Sequence, residues 1–146
     1  MLMIHKIKKI ISVLLCCMVF FLSACEFNAP LRNKMIEYYS DDDNYVKLTG
    51  LVVSKTDEWI LEINILTEEH NIPNTNNGAS MFGLYTDKEL LENIDVNDSI
   101  EFISAPTYFY NGHKLPIVYL KKGDKEYLTF ETGKNNYLDW IRDHFD

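Results

Sequence analysis

The first 24 residues most constrain what this chain can fold into, because their pattern removes them from the folded domain. Lys6, Lys8 and Lys9 precede an apolar run over positions 10–22, and the small residues Ser23 and Ala24 follow it. This order is typical of a secretion signal. The apolar run is too short for a spanning helix, which needs about 20 residues. The sequence therefore predicts a signal peptide over 1–24 and leaves residues 25–146, enough for one domain with one core.

The predicted signal ends in Leu22-Ser23-Ala24-Cys25. This ending resembles the lipobox of bacterial lipoproteins. The resemblance implies that a diacylglyceryl group is attached to the sulfur of Cys25 and that the chain is cut just before this residue. It implies a membrane as the first partner, through acyl chains such as palmitate, and a location at the extracytoplasmic face of a bacterial membrane, at the cell surface. Apart from this covalent lipid, we expect no cofactor.

Charge and cysteine content narrow the partners of the remaining chain. Three of the 14 basic residues lie in the predicted signal and all 22 acidic residues follow it, so the net charge after cleavage is −11 and not −8. Such a charge repels nucleic acid and anionic headgroups and favours a basic protein partner or an uncharged ligand. Cys16 and Cys17 lie in the signal, so residues 26–146 contain no thiol for a disulfide or a zinc cluster.

Hydrophobic periodicity predicts a mainly β domain between two helices. A short tether and a helix over 31–40 occupy residues 25–44, and the β domain with its closing helix occupies 45–146. We expect strands over 45–53, 58–66, 80–86, 100–110, 113–120 and 127–131, a helix over 88–94 after an Asp87 N-cap, and a helix over 135–144. Turns are expected at 55–57, at Asn111-Gly112 and at 122–125. Gly133 is predicted to end the last strand.

The order of these elements resembles the OB-fold, and in particular the tRNA-anticodon-binding type. Three features carry the resemblance: a long first strand with Gly50 at its middle, a helix between strands three and four, and the run from Ile94 to Phe102 that leads to Asn111-Gly112. Asn97 stands where the family has glycine, and asparagine can adopt the positive φ that this turn needs. The resemblance covers about residues 45–120. It implies a small five-stranded OB-like barrel with an inserted helix and flanking terminal helices.

In OB-folds the usual ligand surface is the face of strands two and three with the loops 1–2 and 4–5. On this chain the loops are 55–58 and 110–114. The candidate ligand-binding residues are Glu62, Asn64, Tyr85, Tyr108, Tyr110, His113 and Lys114, with Met81 on the same face. The tyrosines have two interpretations, because they can stack on a ligand or cover the barrel edges.

Signatures of catalysis are absent from the sequence. It has no Gly-rich phosphate loop, no Gly-x-Ser-x-Gly elbow and no His-Glu-x-x-His. We predict no metal site, because His70, His113 and His144 are scattered and the acidic runs near residues 41 and 95 are better interpreted as solvated turns. The sequence therefore predicts a non-enzymatic, membrane-anchored OB-fold binding module for a protein or a small ligand. The alternative is an OB-fold protein that binds nucleic acid.

Overall fold

The structure is a computed structural model that describes residues 28–73 and 78–145. The predicted signal and Cys25 lie outside the described residues. Helix α1 spans Ala29–Ser40 with Pro30 in its first turn, where its missing N–H costs nothing. It buries Met35 and Tyr39, as the periodicity predicts. A short 3-10 turn, Asp42–Asn44, then leads into the sheet, and the Asp41 side chain caps it.

Seven strands form one mixed sheet. They are β1 Val46–Asp57, β2 Ile60–Ile65, β3 Ala79–Gly83, β4 Ser99–Ser104, β5 Leu115–Pro116, β6 Tyr119–Lys122 and β7 Lys125–Leu128. Their order is β5-β3-β2-β1-β4-β6-β7. The 3-10 helix Lys88–Asn93 connects β3 to β4, and helix α2, Phe130–His144, closes the chain. The fold is thus mainly β, as predicted, but the sheet has seven strands and is not the five-stranded barrel that the resemblance implied.

The long strand β1 lies at the centre of the sheet and pairs with β2 and β4. At Gly50 it faces Ile65 on one side and Ile100 on the other. A Cβ atom at Gly50 would overlap the Ile63 side chain and lie 3.2 Å from the Phe102 ring. Glycine therefore allows the core to pack directly onto the β1 backbone.

Strands β5 and β6 are neighbours along the chain but lie on opposite sides of the strand order. Strand β5 pairs with β3 in parallel, and β6 pairs with β4 in antiparallel fashion. Between them, the Ile117 N–H donates to the Gly83 carbonyl at 2.9 Å, and the Val118 N–H donates to the Ile103 carbonyl at 3.0 Å. Two consecutive residues thus bond to β3 and to β4, which lie on opposite sides of β1 and β2 in the strand order.

Two apolar clusters stabilise the fold. The sheet cluster comprises fully buried side chains, including Leu48, Leu61, Phe82, Phe102, Leu115 and Leu120. The aromatic cluster lies between α1, α2 and the β4–β5 loop, and its buried members include Met35, Tyr39, Tyr85, Tyr137 and Ile141. Burying one aromatic or large aliphatic side chain contributes about 1.5–3 kcal/mol. The helices are therefore part of the packed domain and not separate appendages.

Several predicted boundaries are wrong. Strand β4 ends at Ser104, so Asn111-Gly112 turns within a loop over 105–114 and does not join two strands. Asp87 has φ 53°, in the left-handed region, and its side chain does not cap the helix that follows. It accepts a hydrogen bond from Asn136 in α2 at 2.7 Å instead.

The last strand and helix also differ from prediction. Strand β7 ends at Leu128, and α2 begins five residues before the predicted start. Thr129 is its N-cap, since its hydroxyl accepts a hydrogen bond from the Thr132 N–H at 3.4 Å. Gly133 does not end a strand. It lies inside α2 and is buried.

Candidate functional site

Helix α2 places three rings over the end of β3. Tyr137, Trp140 and His144 lie three and four residues apart and therefore share one face of the helix. The Trp140 ring lies 5.7 Å from that of Tyr137 and 4.5 Å from that of His144, and both pairs are stacked. Trp140 also approaches the Tyr85 ring at 4.3 Å. This face of α2 is thus an aromatic surface that rests on the residues after β3.

Tyr85 is predicted to face a ligand, but its hydroxyl is engaged by the protein. Only 9% of Tyr85 is exposed. The Tyr85 hydroxyl donates to the Lys114 carbonyl at 2.8 Å and accepts from the Lys114 N–H at 3.0 Å. Burial raises the pKa of Tyr85 well above its ordinary value, so the hydroxyl stays protonated. Tyr85 and the Lys114 backbone therefore fix the β4–β5 loop, and only the Tyr85 ring remains available to a ligand.

His113 is also buried, with 2% exposed. Its Nε2 atom lies 2.8 Å from the Tyr137 hydroxyl, and its Nδ1 atom has no hydrogen-bond partner among the described residues. Burial, with a smaller effect of Lys114, lowers the pKa of His113 to about 4. His113 is thus a neutral member of the aromatic cluster and not the ligand-facing residue that the sequence predicts.

A cavity of about 300 Å³ opens beside this cluster. It is lined by Trp59, Tyr85, Lys88, Tyr110, Trp140 and His144. We call it the aromatic cleft. Its residues come from the β1–β2 turn, the end of β3, the 3-10 helix, the β4–β5 loop and α2. Tyr110 belongs to the predicted loop 110–114, whereas Trp59 directly follows the predicted loop 55–58, of which no residue lines the cleft.

Trp59 forms one wall of the aromatic cleft, and its position depends on a glycine. A Cβ atom at Gly83 would lie 2.8 Å from the Trp59 ring, so only glycine lets the indole lie against β3. The Tyr85 ring lies 5.0 Å from that of Trp59. The amino group of Lys88 lies 5.9 Å from the centre of the Trp59 ring, within the range of a cation–π interaction. The cleft thus combines two indoles with one ammonium group.

Two other surface cavities have different linings. One of about 370 Å³ is lined mainly by charged residues, Lys55, Glu58, Lys88, Glu89, Leu91 and Glu92. Lys55 is engaged there, because its amino group donates to the carbonyls of Leu91 and Ile94. The other, of about 450 Å³, lies between α1 and the β4–β5 loop, around Tyr38 and Phe109. Of these three cavities in the described part of the chain, the aromatic cleft is the one with an almost wholly aromatic lining, so we take it as the candidate for ligand binding.

The structure separates the predicted ligand residues. Tyr85 and Tyr110 line the aromatic cleft, and His113 and Lys114 lie behind it. Glu62 and Asn64 lie farther along β2, opposite Met81 and Ala79, and do not line the cleft. Tyr108 is 38% exposed and also lies outside the lining.

Sequence reasoning missed Trp59, Lys88, Trp140 and His144 as members of this site. Trp140 is half-buried, so it both packs against the aromatic cluster and lines the cleft. A tryptophan in the turn after β1 was the available signal for Trp59, since turns on the predicted ligand side carry binding residues.

Metal ligands, membrane-spanning helices and similarity to known proteins give no further indication of function. In residues 28–73 and 78–145, no group of three or more His, Cys, Asp or Glu side chains is placed to hold a metal ion. Over the same ranges, no helix has the length and apolarity needed to span a bilayer. No protein-family model, curated protein or solved structure matches the chain.

Proposed function

We propose that this protein is a lipid-anchored, extracytoplasmic binding module that recognises its ligand in the aromatic cleft. The anchor part of the proposal rests on the sequence ending at Cys25. The recognition part rests on one observation, the meeting of Trp59, Tyr110 and Trp140 around a cavity of about 300 Å³. Ligand sites are typically concave, largely apolar and provided with a few polar groups.

The strand pairings support an OB-like arrangement. Strand β1 lies between β2 and β4, and the chain stretch 115–122 bonds to β3 at its start and to β4 at its end. If β5 and β6 are taken as one bent strand, this strand joins β3 to β4, because the Ile117 N–H bonds to β3 and the Val118 N–H bonds to β4. In this proposed arrangement the cleft is near the loops with which OB-folds bind ligands, since Trp59 follows loop 55–58 and Tyr110 lies in loop 110–114.

A binding role fits this lining better than catalysis. The described lining contains no carboxylate, serine or cysteine. General acid–base pairs and activated nucleophiles need reactive groups in hydrogen-bond contact, and no hydrogen bond joins Lys88 to His144 in the described residues. Lys88 and His144 are the polar groups present, and His144 is engaged through Nδ1 with the Trp140 carbonyl at 2.9 Å. We therefore propose a non-enzymatic module.

Nucleic acid is the less supported ligand. Single-strand binding needs stacking rings beside a continuous basic groove. The cavity next to the cleft contains Glu58, Glu89 and Glu92, which would repel a phosphate backbone. We expect no salt-dependent binding of single-stranded DNA or RNA, and such binding with an affinity near 1 μM would favour the alternative.

The anchor is tested at Cys25. We expect mass spectrometry of the mature protein to show an N-terminal cysteine that carries a diacylglyceryl group. The Cys25→Ala chain should be unprocessed or released, since two acyl chains hold a protein stably at a membrane. An unmodified Cys25 in a membrane-free protein would refute the anchor.

The recognition site is tested in intact cells with a photoreactive phenylalanine analogue. The analogue replaces Tyr110, which lines the cleft, or Tyr108, a matched control two residues away on the same loop. We expect a discrete adduct, with a protein or a small molecule, from position 110 and none from 108. Equal labelling from both positions, or none from 110, would refute the aromatic cleft as the recognition site.

A further inference from the structure

The hydrogen-bond donors of the aromatic cleft define what it accepts. Among the described residues, neither the Trp59 nor the Trp140 indole N–H donates a hydrogen bond to the protein, and Lys88 has no ion pair. Within residues 28–73 and 78–145, the Lys88 ammonium approaches only the Trp59 ring, at 5.9 Å from its centre. The lining thus contains one ammonium group that has no ion pair or hydrogen bond among the described residues.

Negatively charged acceptors for a cationic ligand are lacking in the same described lining. The Tyr85 hydroxyl is engaged by the Lys114 backbone, and the described lining has no carboxylate. An aromatic cage for an ammonium ligand would also place that ligand beside Lys88, at a cost from like charges. The Lys88 ammonium therefore favours a ligand that brings a negatively charged acceptor oxygen.

The surroundings limit the ligand to one negative charge. Lys88 also lines the neighbouring cavity, where Glu58, Glu89 and Glu92 lie. A ligand with several charges would extend toward these glutamates and be repelled. A single carboxylate on the Lys88 side can be satisfied by the ammonium group alone, as a charge-assisted hydrogen bond.

The walls define the rest of the ligand. The indoles of Trp59 and Trp140 both line the cleft, and the Tyr85 ring lies 5.0 Å from that of Trp59 and 4.3 Å from that of Trp140. Aromatic walls bind the face of another ring, either an aromatic ring or the C–H face of a sugar. A cavity of about 300 Å³ has room for one such ring.

We propose that the aromatic cleft binds a ligand with one ring and one carboxylate, the ring against the indoles that line the cleft and the carboxylate on Lys88. This inference rests on the proposed function and names the ligand class for the same site. The shared chemistry can come from an aromatic acid or from a sugar acid, and the two are distinguished by separate probes.

The test uses the full chain in detergent micelles, labelled with nitrogen-15. The chain has only two tryptophans, both in the cleft, so its two indole N–H resonances report on the site directly. The probes are benzoate with benzyl alcohol as its neutral analogue, and glucuronate with glucose. We expect one acid to shift both indole resonances with saturation and to bind about tenfold more tightly than its neutral analogue.

Lys88→Gln should remove that tenfold preference while leaving the neutral analogue unaffected. Lys125→Gln is the matched control, since Lys125 lies 4.5 Å from the centre of the Tyr127 ring, outside the cleft, and it should change nothing. Equal binding of acid and neutral probes, unchanged selectivity in Lys88→Gln, or no saturable binding of either acid would overturn the ligand class. A specific adduct at position 110 in cells together with any of these results would leave the proposed function standing and refute only this inference.

Discussion

Acidification should destabilise this protein through His113. The imidazole is 2% exposed, and its pKa in the folded state is about 4, against 6.5 for an ordinary histidine. Below pH 6.5 the unfolded chain binds a proton that the folded chain resists, so the free energy of unfolding falls as the pH falls. The loss begins near pH 6.5 and is complete near pH 4. Between pH 7.5 and 4.5, this single residue should lower the free energy of unfolding by about 2.5 kcal/mol.

The assay compares urea unfolding of the wild type and His113→Gln at the two pH values, followed by circular dichroism. The glutamine amide can still bond to the Tyr137 hydroxyl but does not titrate. Asp98 and Glu101 have pKa values lowered, first of all, by hydrogen bonds from lysines. They lose their stabilising effect as the pH falls, but they do so equally in both proteins. We expect the wild type to lose about 2.5 kcal/mol more than the variant, and parallel pH dependences would refute the reasoning.

Three substitutions test the packing. Gly133→Ala should destabilise the protein by about 1–3 kcal/mol in thermal unfolding, because the new Cβ would overlap the Val118 carbonyl, whereas Asn135→Ala at an exposed position of the same helix should be neutral or slightly stabilising. Thr129→Ala removes the N-cap of α2 and should cost about 1 kcal/mol; an unchanged melting temperature would show that the cap is not needed. Phe102→Ala, at a fully buried position, should cost about 3–5 kcal/mol in urea unfolding, and a cost below about 1 kcal/mol would contradict the described core.

Local patterns predicted α1 and most of the first three strands, because each element there follows its own periodicity. The turn predicted at 55–57 is wrong, since β1 continues to Asp57. In β2, Leu61 and Ile63 are buried, whereas Glu62 is half-buried and Asn64 is exposed. This alternation is typical of a strand with one buried face. The prediction at Asn97 is confirmed as well, with φ 75°. Its N–H donates to the Val52 carbonyl at 2.8 Å, so this turn is held against β1.

The wrong predictions share a physical cause, which is that tertiary contacts overrode local preference. Glycine is unfavourable inside a helix, and the sequence predicts that Gly133 ends the last strand. The helix tolerates it because the chain at Val118 passes too close for any side chain. Asp87 is similarly of a residue type that favours the N-cap position, but its carboxylate accepts a hydrogen bond from Asn136, 49 residues away. No window of local sequence contains either partner.

The position of the aromatic cleft follows from how the terminal helices cover the sheet. Tyr137 and Trp140 of α2 cover Tyr85 at the end of β3, so a ligand cannot lie flat on this part of the sheet. The uncovered part of the same face carries Glu62 and Asn64, which offer no ring for stacking. In the proposed function, the aromatic cleft is the recognition site, because Trp59 and Trp140 both line it. Helix α2 then supplies one wall of a site of about 300 Å³, and for this reason we expect a compact ligand and not a polymer.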